Sequence, residues 1–212
     1  MGLVMGFGSG VLISAVAFEL FAQAVETAER HSDAVGLFAG SATFYGGDWV
    51  IDRMGGDGRK RMSGGGQAGG VALAIVLGIV LDGIPESTVI GLDLHAGEGV
   101  SVAFIVAVFL SNLPEAAGAS TGLAAGGWRP RAIYTLWVVV SLVAGLAAAG
   151  GYALAAVTGP DGYAFILAFA AGAILTMLAD TMMPEAFTQG GKAVGLLTTL
   201  GFAVSFAISS LE

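Results

Sequence analysis

Two short segments of this 212-residue sequence carry pairs of oxygen-bearing side chains at helical spacing. Glu86 directly follows a proline and stands four residues after Asp82. Glu115 also follows a proline and stands four residues after Ser111. Side chains four residues apart lie on the same face of an α-helix, so each segment is predicted to present two oxygen ligands on one face. Oxygen ligands of this kind bind hard divalent cations, and the repeated pattern therefore indicates a cation site.

The proline in each segment is expected to open the helical backbone. Proline has no N–H group and disrupts the hydrogen bond to the carbonyl four residues before it. Pro85 is therefore predicted to free the carbonyl of Leu81. In the same way, Pro114 is predicted to free the carbonyl of Leu110. Broken helices of this kind line ion sites in transporters. The alternative is that both prolines are ordinary helix kinks beside protonated acids.

Three further acids lie within or at the ends of apolar stretches. Glu185 follows another proline, with Asp180 about one turn before it. Glu19 stands nine residues after Gly10, and the residue that follows Asp180 stands nine residues after Gly172. We call this equal spacing the shared frame. It predicts that Glu19 and Asp180 face the interior of a helical bundle. Glu185 has two open interpretations, a ligand of the same site or a loop acid near the lipid headgroups.

The composition places these acids in a membrane protein. The sequence is 56% hydrophobic and 11% charged, with a mean hydropathy of +0.85, whereas a soluble domain carries about 25% charged residues. It contains no cysteine, which excludes disulfides and thiolate ligands. Six of the 16 acids lie in or beside apolar runs, and the other ten nearly balance the eight Lys and Arg residues. The net charge of -8 therefore does not indicate nucleic-acid binding.

Apolar runs long enough to cross a bilayer, about 20 residues each, predict a single transmembrane domain over residues 1–212. The fold class is all-α, a polytopic transmembrane helical bundle with about seven spans. The connections between the runs are short and polar, which leaves no room for a separate soluble domain. The predicted spans are residues 3–25, 34–52, 69–92, 100–124, 132–157, 163–184 and 193–211.

The positions of the basic residues predict the orientation, because cytoplasmic loops retain Lys and Arg. Arg30 alone falls on one side of the predicted bundle. The other seven follow the second, fourth and sixth spans: Arg53, Arg59, Lys60, Arg61, Arg129, Arg131 and Lys192. This distribution predicts a cytoplasmic N-terminus and an external C-terminus.

Glycines four residues apart predict close contacts between helix backbones in lipid. The pattern recurs three times, at Gly2, Gly6 and Gly10, at Gly36 and Gly40, and at Gly118, Gly122 and Gly126.

The proline–glutamate segments resemble motifs of the ZIP (Zrt/Irt-like) divalent-metal transporters. In that family the fourth helix carries His-Asn-x-Pro-Glu-Gly and the fifth carries x-Asn-x-Pro-Glu-Gly, and together they form a two-metal site at mid-membrane. Here residues 82–87 read Asp-Gly-Ile-Pro-Glu-Ser, and residues 111–116 read Ser-Asn-Leu-Pro-Glu-Ala. Residues 10–23 are similar to the second family helix and residues 171–186 to the seventh. The resemblance covers nearly the whole chain.

The chain departs from the family pattern in several places. Asp82 and Gly83 replace the His and Asn of the fourth-helix motif, and Ser87 and Ala116 replace the two motif glycines. The family has eight helices, and residue 1 of this chain corresponds to the beginning of the second. The resemblance therefore implies that the first family helix is missing.

The resemblance implies an ion site and an expected function. The expected cargo is Zn, Fe or Mn, with Cd as a further substrate, moved toward the cytoplasm across the plasma membrane by a homodimer. Because oxygen-only sites suit hard cations such as Mn, Mg or Ca, the replacement of His by Asp82 predicts a weaker preference for zinc. The implied metal ligands are Asp82, Glu86, Ser111, Asn112 and Glu115, with Asp180 and Glu19 further along the route.

Two other functions are less consistent with the sequence. A cation/Ca exchanger also contains proline–glutamate repeats, but in two distant halves, whereas here the repeats occupy adjacent helices. Intramembrane aspartyl proteases resemble one another in their Tyr-Asp and Gly-x-Gly-Asp motifs. The nearest match, Tyr-Gly-Gly-Asp at residues 45–48, has the wrong spacing. We therefore expect no enzyme activity.

Overall fold

The computed structural model describes residues 1–53, 70–97 and 99–211. Within these residues every secondary-structure element is a helix. Arg59, Lys60 and Arg61, which contributed to the predicted orientation, lie outside the described residues.

The long helices follow the predicted apolar runs to within a few residues. The largest difference lies at the end of the sixth run, where the helix continues through Pro184 to Gly190. In chain order the helices are α1 (Gly2–Thr27), α2 (Ser32–Arg53), α3 (Gly70–Ala96), α4 (Val102–Ala125), α5 (Pro130–Val157), α6 (Pro160–Gly190) and α7 (Ala193–Ser209).

Four helices of the described part, α1, α4, α5 and α6, are long and apolar enough to cross a membrane. Helix α7 is also apolar but has 17 residues. This composition and length are compatible with a membrane protein built as a helical bundle.

The interruptions of the helices do not lie at the prolines. Both α3 and α4 continue as regular α-helix through Pro85 and Pro114, so the expectation of broken helices at these residues is wrong. A proline removes one hydrogen bond, and a long apolar helix tolerates that loss when its neighbouring bonds remain. The irregular turns are instead π-helical, at Val16–Phe21 in α1 and Leu178–Met182 in α6.

The two π-helical turns occupy equivalent positions in their helices. The first begins six residues after Gly10, and the second begins six residues after Gly172. The equal nine-residue spacings after Gly10 and Gly172, noted in the sequence, are therefore accompanied by a π-helical turn in each helix. Single π-helical turns inside α-helices frequently occur at functional sites.

Glycines bring three pairs of helices into close backbone contact. A Cβ atom at Gly10 would overlap the carbonyl oxygen of Thr198, and one at Gly201 would overlap that of Phe7. Such reciprocal contacts allow Cα–H groups to approach carbonyl oxygens, as in other small-residue helix interfaces. The same arrangement joins α1 to α7 through Gly10 and Gly201, α2 to α6 through Gly40 and Gly172, and α3 to α5 through Gly91 and Gly151.

The main core lies between α1, α4 and α6. Its largest fully buried side chains include Leu12 and Val16 of α1, Phe104 of α4 and Ile174 of α6. Helices α1 and α7 run in the same direction, because Gly6 packs on Val194 and Gly10 on Thr198. The beginning of α1 therefore lies at the same end of the bundle as the beginning of α7.

At the opposite end, one carboxylate holds the connection between α1 and α2. Oδ1 of Asp161, in the first turn of α6, accepts hydrogen bonds from the backbone N–H groups of Glu29 at 2.9 Å and Arg30 at 3.1 Å. It also accepts one from the hydroxyl of Ser32 at 3.0 Å. An acid in the first turn is favourable there because the helix N-terminus carries partial positive charge.

Candidate metal site

Five of the seven predicted ligands line one small cavity. Asp82 and Glu86 of α3 meet Ser111, Asn112 and Glu115 of α4 around a volume of about 20 Å³. Both Asp82 and Glu86 are only 2% exposed. A cavity of this size holds about one water-sized particle. The structure thus brings both of the i, i+4 pairs predicted from the sequence to the same cavity.

A direct side-chain contact joins the two proline-containing helices at this cavity. Nδ2 of Asn112 donates to Oε2 of Glu86 at 2.7 Å and to the backbone carbonyl of Val108 at 2.9 Å. Ser111 also donates its hydroxyl to the Val108 carbonyl, at 2.9 Å. The amide donor of Asn112 is thus engaged, which leaves its Oδ1 atom as the possible ligand to a cation.

Five lining residues were not among the predicted ligands. Glu185, for which the sequence left two interpretations open, is half-buried and lies at the cavity, and its Oε1 accepts a hydrogen bond from Gln189 at 3.0 Å. The nearby hydroxyl oxygen of Thr181 is buried and has no hydrogen-bond partner among the described residues. Thr181 is also the residue that stands nine positions after Gly172, so the shared frame was the signal that could have found it. The complete additional set is Met5, Met177, Thr181, Met182 and Glu185.

The remaining two predicted ligands lie elsewhere. Asp180, which we expected to face the bundle interior, is exposed, whereas its neighbour Thr181 is buried. The π-helical turn explains the difference, because its i to i+5 hydrogen bonding changes which side chains face the interior. Glu19 lines a second, larger cavity of about 650 Å³.

This second cavity lies at the end of the bundle where α3 ends and α4 begins. Its polar lining includes Glu19, Gln23 and Glu26 of α1, Asp93 of α3 and Ser101 at the start of α4. We refer to it below as the outer cavity, and to the one at Glu86 as the central cavity.

An apolar layer lies between the two cavities along the three helices that contribute to both. Leu12 and Val16 lie between the cavity residues of α1, Val89 between those of α3, and Phe104 and Ala107 between those of α4. All five belong to the main core and have no exposed surface. Glu86 and Asp93 are seven residues apart, a rise of about 10 Å along the helix. The acids of the two cavities therefore belong to separate levels of the bundle.

The central cavity does not contain a preformed cluster of conventional ligands. Within the described residues, no group of three or more His, Cys, Asp or Glu side chains is placed to hold a metal ion. A cation in the central cavity would need a mixed set of donors, with carboxylates from α3, α4 and α6 supplemented by Asn112, Thr181 or the methionines. Met5, Met177 and Met182 also line the cavity, so its lining carries thioether side chains beside the oxygen-bearing ones.

Comparisons with known proteins add no assignment to this geometry. No known protein-family model matches the sequence. No curated protein matches it either.

Proposed function

We propose that the chain is an integral membrane transporter that carries divalent metal cations of the Zn, Fe and Mn class, with Cd as a further substrate, toward the cytoplasm. The observation that carries this proposal is the contact of Asn112 with Glu86 in a buried cavity that five predicted ligands line. The cation is the transported substrate, and the resemblance of the proline–glutamate segments to ZIP transporters agrees with this role.

Charge supports a cation as the occupant of the central cavity. An acidic side chain at the centre of a membrane helix costs about 2.5 to 3.5 kcal/mol. Four acids, Asp82, Glu86, Glu115 and Glu185, line this cavity, and among the described residues around it none is basic. A bound divalent cation would offset the cost of several carboxylates at once.

We further propose a seven-span, ZIP-like bundle in the plasma membrane, and the directions of the first and last helices agree with an odd number of spans. Helices α1 and α7 run in the same direction, as they must if each of the intervening five helices crosses the membrane. In this arrangement Arg53, Arg129, Arg131 and Lys192 lie at the end where α1 begins. We therefore assign a cytoplasmic N-terminus and an external C-terminus, with the outer cavity facing outside.

The apolar layer between the cavities supports transport by alternating access. An ion that enters at Glu19 and Asp93 reaches the central cavity only if Val89 and Phe104 separate from their neighbours. The glycine contacts tie α3 to α5, and they tie α1 to α7 and α2 to α6. We infer that α3 and α5 rock as a unit against the other two pairs and α4, because α4 packs against α1 in the main core.

The test measures cation uptake by the purified chain in proteoliposomes. Glu86→Gln and Glu115→Gln remove a charge from the central cavity at nearly constant size, and Glu29→Gln removes one from the exposed α1–α2 connection as a control. We expect Zn²⁺, Fe²⁺ or Mn²⁺ uptake by the native protein and the control, and near-complete loss in both cavity variants. Equal uptake by all four proteins at equal abundance in the vesicles would contradict the proposal.

A further inference from the structure

Methionines are concentrated at the central cavity. Three of the seven methionines in the sequence are among its ten lining residues. Met5, Met177 and Met182 are only 4%, 5% and 7% exposed, respectively. They belong to α1 and α6, whereas Asp82, Glu86 and Glu115 belong to α3 and α4. The sulfur-bearing residues of the cavity therefore come from α1 and α6, whereas three of its four carboxylates come from α3 and α4 and the fourth, that of Glu185, from α6.

The π-helical turn is what brings two of these methionines together. Met177 and Met182 are five residues apart, a spacing that places side chains on different faces of a regular α-helix. The intervening turn, Leu178–Met182, is π-helical, with hydrogen bonds from i to i+5. Residues five apart are thereby brought to the same side, and both methionines reach one cavity.

The size of the cavity limits how much water a bound ion can keep. A volume of about 20 Å³ accommodates an ion but not its hydration shell. Mg²⁺ releases its water reluctantly and needs near-ideal oxygen geometry. Softer ions accept thioether sulfur in place of water. In addition, the hydroxyl of Thr181, which is 9% exposed, offers an oxygen at this cavity that has no hydrogen-bond partner in the described part of the chain.

We propose that Met5, Met177 and Met182 determine the specificity of the central cavity by supplying sulfur donors. The site then selects soft and borderline divalent cations, Cd²⁺ and Zn²⁺, over the hard cations Mn²⁺ and Mg²⁺. This inference rests on the proposed function, since it concerns the same cation site. It reverses the preference for hard cations that an oxygen-only ligand set would give.

The test uses the purified 212-residue chain and measures the affinities of Cd²⁺ and Mn²⁺ by calorimetry. Replacement of methionine by leucine nearly conserves volume and removes the sulfur. Met5→Leu and the double variant Met177→Leu/Met182→Leu test the cavity, and Met183→Leu, next in sequence but outside the lining, is the matched control. We expect the cavity variants to lose about tenfold or more in Cd²⁺ affinity. Their Mn²⁺ affinity, and both affinities of the control, should stay unchanged.

Cadmium NMR of the native protein gives a second measurement that needs no variant. Sulfur ligation moves the cadmium resonance downfield from its position in oxygen-only sites, and we expect the native protein to show this shift. A resonance at the oxygen-only position, or an unchanged ratio of Cd²⁺ to Mn²⁺ affinity in the double variant, would overturn the inference while leaving the proposed function intact. Absence of binding of either ion to the native protein would instead overturn the proposed function.

Discussion

Asn112 of α4 donates a 2.7 Å hydrogen bond from Nδ2 to Oε2 of Glu86 on α3. The bond connects the two proline-containing helices at the buried cavity, and it keeps one oxygen of the Glu86 carboxylate oriented toward α4. The same amide group also donates to the Val108 carbonyl, which fixes its own orientation. The geometry of the candidate site therefore depends on this pair.

Asn112→Ala should destabilise the ion-free protein by about 1 to 3 kcal/mol, because it leaves the buried Glu86 oxygen without its donor. The measurement is the free energy of unfolding in detergent. Thr121→Ala is the comparison, since the exposed Thr121 hydroxyl donates to the carbonyl of Gly118 within its own helix. A double-mutant cycle with Glu86→Gln should give a coupling energy of about 0.5 kcal/mol or more. Additive effects would show that the contact does not link the helices energetically.

Gly10→Ala should weaken the contact between α1 and α7. The added methyl group would overlap the carbonyl of Thr198, and separating the helices should cost about 1 to 3 kcal/mol. Gly195→Ala is a matched control on α7, because a Cβ atom there meets nothing within 4 Å. Alanine also has a higher helix propensity than glycine, so the control should be neutral or slightly stabilising. The measurement is the thermal unfolding temperature of both variants in the same detergent. Equal unfolding temperatures would contradict the close packing of α1 against α7.

Asp161→Ala should release the connection between α1 and α2. The substitution removes the acceptor for the N–H groups of Glu29 and Arg30 and for the Ser32 hydroxyl. We expect faster hydrogen exchange at both amides, with the exchange of α5 unchanged. Asp161→Asn keeps an acceptor oxygen and should retain most of the protection. Identical exchange in the alanine variant and the native protein would rule out this anchoring role.

Cation addition should stabilise the native protein, and chelation should reverse the effect. A ligand that binds only the folded state at 100 times its Kd adds about 2.7 kcal/mol to the free energy of unfolding. Zn²⁺ or Cd²⁺ should therefore raise the Tm of the native protein and of Glu29→Gln. Glu86→Gln should show little or no increase. An equal rise in Glu86→Gln would place the stabilising ion outside the central cavity.

The local features of the site could be predicted because they depend on short-range periodicity. Side chains four residues apart share a helical face whatever the tertiary structure, so Asp82 and Glu86, and likewise Ser111 and Glu115, were expected to act in pairs. The structure places both pairs at one cavity. Gly10 and Gly40 were similarly expected to pack closely, since small residues four apart favour backbone contact, and both do so.

The residues that α6 contributes could not be predicted from regular periodicity. A π-helical turn shifts the phase of the side chains, so Thr181 and Met182 are buried and Asp180 is exposed. Prolines suggested interruptions that the structure does not contain, because the hydrogen bonds around Pro85 and Pro114 suffice to continue each helix.

The sequence by itself determined the apolar helices, their approximate ends and the oxygen-bearing faces of α3 and α4. These features follow from hydropathy and from the 3.6-residue helical repeat, both of which are local. Only the tertiary structure decided that Met5 of α1 and Met182 of α6 lie at the same cavity as those faces. Their placement depends on how closely glycines let separate helices approach and on a local change of helix type. The close approaches join residues far apart in the chain, as Gly10 and Thr198 do, and neither feature follows from the regular 3.6-residue repeat.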